Sequence, residues 1–142
     1  MSFQEKSCWA MLVIIAGVYG WYFSSVFDQL GSVALGEIAY RGPMLYTVVL
    51  LIVLAIVAHI LIAVTAPKDA DASDERDRSI NRYGEYIGGY VLGSGALTAL
   101  GMAMFELPHF WIANVILAGL VLSEIASLLT RIVLYRRGLV NW

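Results

Sequence analysis

An all-α integral membrane protein, folded as a four-helix bundle of two helical hairpins, is predicted by three observations. The 142-residue chain is 60% hydrophobic and 14% charged, with a mean hydropathy of +0.76. Soluble domains run nearer about 45–50% and about 25%, and one of this length could not hide so much apolar surface. The same figures exclude disorder. The apolar residues fall into four runs, each close to the roughly 20 residues that cross a hydrocarbon core. The charges gather between the second and third runs and at the two ends.

The first span is predicted over residues 7–27. Ser7 to Phe27 holds no Asp, Glu, Lys or Arg. No small-x-small site precedes Asp28, so it reads as a retained span rather than a cleaved signal. The second span, about 43–66, begins near Pro43 and carries one polar group in its depth, His59. The third, 86–105, is rich in glycine. The fourth, 108–131, begins at Pro108 and is interrupted by Glu124. Residues 1–142 therefore form a single transmembrane domain. One cysteine, Cys8, excludes an intrachain disulfide.

Lys and Arg set the orientation. Lys6, Lys68, Arg76, Arg78, Arg82, Arg131, Arg136 and Arg137 lie on one side, and Arg41 alone on the other. Both termini and the loop 68–85 are therefore expected in the cytoplasm. Aromatic residues mark both interfaces: Trp9, Tyr83, Tyr86, Tyr90 and Tyr135 inside; Trp21, Tyr22, Phe23, Phe27, Tyr46, Phe105, Phe110 and Trp111 outside.

Aligning the second and fourth spans on Pro43 and Pro108 pairs Tyr46 with Trp111 and His59 with Glu124. Two parallel hairpins related by an axis along the membrane normal would give this match. At about 1.5 Å per residue, His59 and Glu124 then share a depth in the inner leaflet, about 24 Å from the prolines.

A membrane carboxylate usually faces protein or water. Three readings stay open for Glu124: a hydrogen bond to His59 or to a Ser or Thr, a pairing with Arg131 seven residues on, or a proton or cation site. His59 reads as a neutral hydrogen-bonded histidine or a proton partner. Neither suits a metal or haem: two ligands are too few, and His109 lies at the opposite boundary. Asn114, Ser123, Ser127 and Thr130 read as interhelical hydrogen-bonding positions. Gly84 and Gly88, and Gly89 and Gly93, are spaced for close helix packing, within one subunit or in a homo-oligomer, and Gly17 and Gly20 could receive the third span.

The segment 68–85, KDADASDERDRSINRYGE, carries four basic and six acidic residues. It is neither a polybasic lipid patch nor a nucleic-acid surface. Asp71 or Ser73 could cap a helix, Asp74 and Arg78 are spaced as an i,i+4 pair, and Ile80, Tyr83 and Ile87 share a face, so the helix is expected to run on into the third span. Asp74, Glu75, Arg76, Asp77, Arg78 and Arg82 form either a solvated helix face or a docking surface for a cytoplasmic protein.

Asp74-Glu75-Arg76-Asp77-Arg78 with Ile80 and Arg82, the stretch Pro108 to Asn114, and the ending Tyr135-Arg136-Arg137-Gly138 resemble small uncharacterised bacterial four-span inner-membrane proteins. The resemblance covers residues 74–138. It implies a bacterial inner-membrane location and no catalytic residues.

No phosphate-binding glycine loop, no HExxH and no metal-spaced Cys/His cluster is present. The sequence thus points to a non-enzymatic protein without cofactor, embedded in the lipid bilayer. It reads as a regulatory or scaffold subunit. Two rival readings are a small homo-oligomeric proton-coupled transporter or channel using Glu124 with His59, and lipid or quinone binding between spans.

Overall fold

The computed structural model describes residues 3–65 and 75–138. They form four helices: α1 Phe3–Phe27, α2 Arg41–Thr65, α3 Glu75–Met104 and α4 His109–Arg137. Each is long and apolar enough to cross a membrane. The shortest have 25 residues, about 37 Å of helix at 1.5 Å per residue, enough for a hydrocarbon core of about 30 Å. In lipid a helix satisfies its own backbone, and an open strand would not. The all-α, multi-pass expectation therefore holds.

The helices outrun the apolar runs that mark them. α3 begins at Glu75, so the charged segment from 75 to 85 continues its third span without a break. Asp71, Ser73 and Asp74 lie outside the described residues, as do the proposed cap and the Asp74–Arg78 pair.

α1 and α4 form the centre, α2 packs on α1, and α3 packs on α4 along the most extensive contact of the fold. α1 buries Ile15, Tyr19, Tyr22 and Val26, a seam of three- and four-residue steps, and Cys8 two turns ahead of it on the same face. α4 answers with Phe110, Asn114, Leu117, Val121, Leu128 and Ile132. α2 buries only Thr47. Gly17 and Gly20 meet nothing; the third span goes to α4, not to α1, because α4 supplies the small residues that it needs.

That contact is a run of small residues. A Cβ on Gly84 would sit 2.7 Å from Arg131 Cγ and 2.9 Å from Ser127 O, one on Gly88 3.0 Å from Ser123 O, and one on Gly95 2.9 Å from Gly119 Cα. The backbones come close enough for Ser123 Oγ to donate to Gly88 O across the interface at 2.8 Å. Gly89 and Gly93 have open space beside them and pack nothing within the protomer.

The α3–α4 turn is closed by Glu106 at φ +53°. Leu107 N donates to Met102 O and Glu106 N to Ala103 O, both at 3.1 Å. This is a Schellman ending with a glutamate where glycine is usual. At the other end of α4, Gly138 takes φ +82° and ψ +166°, a region open essentially to glycine alone. The α1–α2 connection contains two short 3-10 turns, Asp28–Gly31 and Leu35–Glu37. It seats Ile38 in the core and the Tyr40 ring edge-on against Phe110, 5.2 Å between centroids.

Candidate functional site

The start of α1, the end of α2, the start of α3 and the end of α4 meet at one end of the bundle, here the terminal end. A cleft of about 220 Å³ opens there, lined by Gln4, Ser7, Cys8 and Met11 of α1, His59 of α2, Asn81 of α3, and Glu124, Leu128 and Arg131 of α4. All four helices contribute, and the two intramembrane ionisable groups aligned from the sequence line the same space.

The seam of α4 toward α1 steps through 114, 117, 121, 125, 128 and 132, with Ile125 partly buried against the core. Glu124 stands beside that seam and lines the cleft. Glu124 is exposed. Among the described residues it makes no hydrogen bond or ion pair, either with His59 or with Arg131. Its polar group faces open space, not a partner.

His59 Nδ1 lies 2.7 Å from Ala55 O. A carbonyl only accepts, so Nδ1 carries the proton and Nε2 is left as an acceptor in the neutral ring.

Arg131 does not pair with Glu124. Its Nη2 reaches Glu85 Oε1 of α3 at 3.8 Å, too long for a hydrogen bond. The reason is Gly84: the missing Cβ lets the Arg131 stem cross onto α3, away from its own helix. Arg131 Nε is sealed from solvent with no hydrogen-bond partner among the described residues.

Asn114 takes the interhelical role expected of it. Its Oδ1 accepts from Tyr22 OH at 2.8 Å, and its Nδ2 donates to Phe110 O at 2.8 Å. Ser123 also bonds across helices, whereas Thr130 Oγ1 turns back to Ala126 O of its own helix. Tyr22 and Phe110, read from the sequence as interface aromatics, are 0% and 3% exposed and belong to the core. Trp21, Tyr46 and Phe105 remain outward, at 53%, 58% and 82%. Tyr22 was concealed in the run Trp21-Tyr22-Phe23, of which it alone meets an amide.

Above the charged end of α3, Ile80 is fully buried, while Tyr83 and Ile87 are exposed rather than sharing its buried face. Ile80 and Gly84 pin the first turns of α3 onto α4. Arg76 Nη2 donates to Tyr135 O at 3.4 Å. Glu75, Arg76, Arg78 and Arg82 are exposed, and Asp77 is half-buried. Beside them, Glu5 of α1, almost buried, accepts from Arg136 Nε at 3.3 Å. The Arg136 guanidinium also lies 5.5 Å from the Trp9 ring centroid. Sequence reasoning missed this tie between the two ends of the chain; the lone Glu5 just ahead of the first span was its signal.

Among the described residues no group of three His, Cys, Asp or Glu side chains could hold a metal ion. Compared with family models, curated proteins and solved structures, the chain matches none.

Proposed function

We propose that the chain is a non-enzymatic multi-pass subunit of a bacterial inner membrane, with both termini cytoplasmic, that regulates or scaffolds a cytoplasmic protein. The supporting observation is the rigid start of α3. A charged segment on a free loop would lose conformational entropy on binding. Here Ile80, Gly84 and the Arg76–Tyr135 contact order it beforehand. The exposed charges on this ridge are of both signs, Arg76, Arg78 and Arg82 with Arg137 of the adjoining tail, and Glu75 and Glu85. The matching partner surface carries both signs as well. The outward Gly89 and Gly93 support a homo-oligomer by close helix packing.

Affinity capture from membranes tests the reading. Neutralising Asp74, Glu75, Arg76, Asp77 and Arg78 together is expected to remove a partner that the parent retains. An identical partner set contradicts it.

A second reading, a proton-coupled carrier, is favoured by Glu124 and His59 lining one cleft. Beyond that cleft, Leu117, Val121, Ile15 and the Tyr22–Asn114 bond fill the interior. A path would therefore have to run between copies. Flux in proteoliposomes that collapses in Glu124→Gln would support the carrier.

A further inference from the structure

The cleft at the terminal end is not used by the docking reading. Its basic wall is Arg131, a guanidinium with five donors. Nε is packed over Gly84 with no surface open to a ligand, so an anion would be met by the Nη groups, of which Nη2 has only a 3.8 Å approach to a carboxylate that is 73% exposed. A guanidinium so poorly matched, in a partly closed site, calls for an anion. The neutral groups beside it, Gln4, Ser7 and Asn81, add amide and hydroxyl donors. Glu124 lines the cleft seven residues deeper, about 10.5 Å along the helix, and the exposed Glu85 carboxylate is the counter-charge that an anion must displace from Arg131. The volume, about 220 Å³, equals roughly seven waters at about 30 Å³ each, and takes a phosphate with a few attached atoms.

We propose that the mouth of this cleft binds the phosphate group of a phospholipid headgroup, with Arg131 as the charged contact and Asn81 as a neutral donor. Arg131 lies at the end of its span, the level of lipid headgroups, where basic pockets between helices hold anionic heads. Among the described residues α2 and α3 make no extended contact. The phosphate chemistry is shared by soluble phosphate esters, and the test separates the two.

The full chain, purified in detergent, is examined by native mass spectrometry with phosphatidylglycerol and with diacylglycerol, the same lipid body without phosphate. The parent is expected to hold phosphatidylglycerol and not diacylglycerol. Arg131→Gln is expected to lower the phosphatidylglycerol-bound fraction about tenfold, the loss of one charge-assisted contact. The exposed-tail variant Arg137→Gln should match the parent. Asn81→Ala, which leaves the Arg131–Gly84 packing in place, keeps the test valid should Arg131→Gln not fold, and is expected to weaken binding severalfold. Displacement of the lipid by glycerol phosphate would assign the site to a soluble phosphate ester instead of the lipid. Equal retention of diacylglycerol, or phosphatidylglycerol binding unchanged in both Arg131→Gln and Asn81→Ala, would overturn the proposal.

Discussion

Replacing Gly95 by alanine tests the closest approach in the fold. The new Cβ would stand 2.9 Å from Gly119 Cα. Carbon atoms rest at about 3.5–4.0 Å, so α3 and α4 must part by roughly 0.6–1 Å. Both atoms at the contact are fixed to backbone, so no rotamer change relieves it. The shift also strains the 2.8 Å bond from Ser123 Oγ to Gly88 O, about two turns away. Overpacking of this kind costs about 1–3 kcal/mol, while the helix gains back about 1 kcal/mol from the better former. A net loss of up to about 2 kcal/mol is expected. Gly93→Ala is the control, since nothing lies within 4 Å of its Cβ; within the protomer it should cost nothing and gain up to about 1 kcal/mol. The assay is equilibrium unfolding in mixed micelles titrated with dodecyl sulfate, with oligomeric state recorded alongside. Equal stability of Gly95→Ala and Gly93→Ala would refute the packing argument. Dissociation of an oligomer by Gly93→Ala, with the protomer's stability intact, would place the outward glycines between copies.

Other outcomes follow from the same geometry. Tyr22→Phe should lower stability by about 1 kcal/mol, because it leaves Asn114 Oδ1 without its donor in a dry core; unfolding titration reads the loss, and no change would mean that the bond contributes nothing. Glu106→Gly should raise stability by up to about 1 kcal/mol by relieving a left-handed residue, and a fall would show that the Glu106 side chain holds the turn. Glu124→Leu should stabilise the protein in the same titration, because it removes a carboxylate from the apolar depth of the span. Destabilisation would mean that the carboxylate has a partner in the assembled state.

The spans could be read from the sequence because transfer into lipid is decided by composition over about 20 residues, and no tertiary contact overrides it. The shared level of His59 and Glu124 followed from helical rise alone. What the sequence did not supply was the particular neighbour that each helix face meets. Gly84, Gly88 and Gly95 are in phase at about 100° per residue, whereas Gly89 and Gly93 are turned about 140° away. The two pairs therefore cannot face one helix, and arithmetic could have separated them. The partner of Gly95 could not be found that way, because Gly119 is a lone glycine on α4. Arg131 and Glu85 lie on different helices, and their approach depends on a Cβ that is absent from Gly84. Tyr22 looked like its aromatic neighbours until Asn114 was placed across from it.

The central claim, that the ordered start of α3 binds a cytoplasmic protein through its charged ridge, is tested most directly by photocrosslinking in cells. A photoreactive residue is placed at Arg78 on the ridge and, as control, at Val53 on the exposed face of α2. The prediction is a discrete adduct from position 78 that disappears when Arg76 and Arg82 are both changed to Gln, and no such adduct from position 53. The same adducts from both positions, or an adduct at 78 that survives neutralisation, would contradict it.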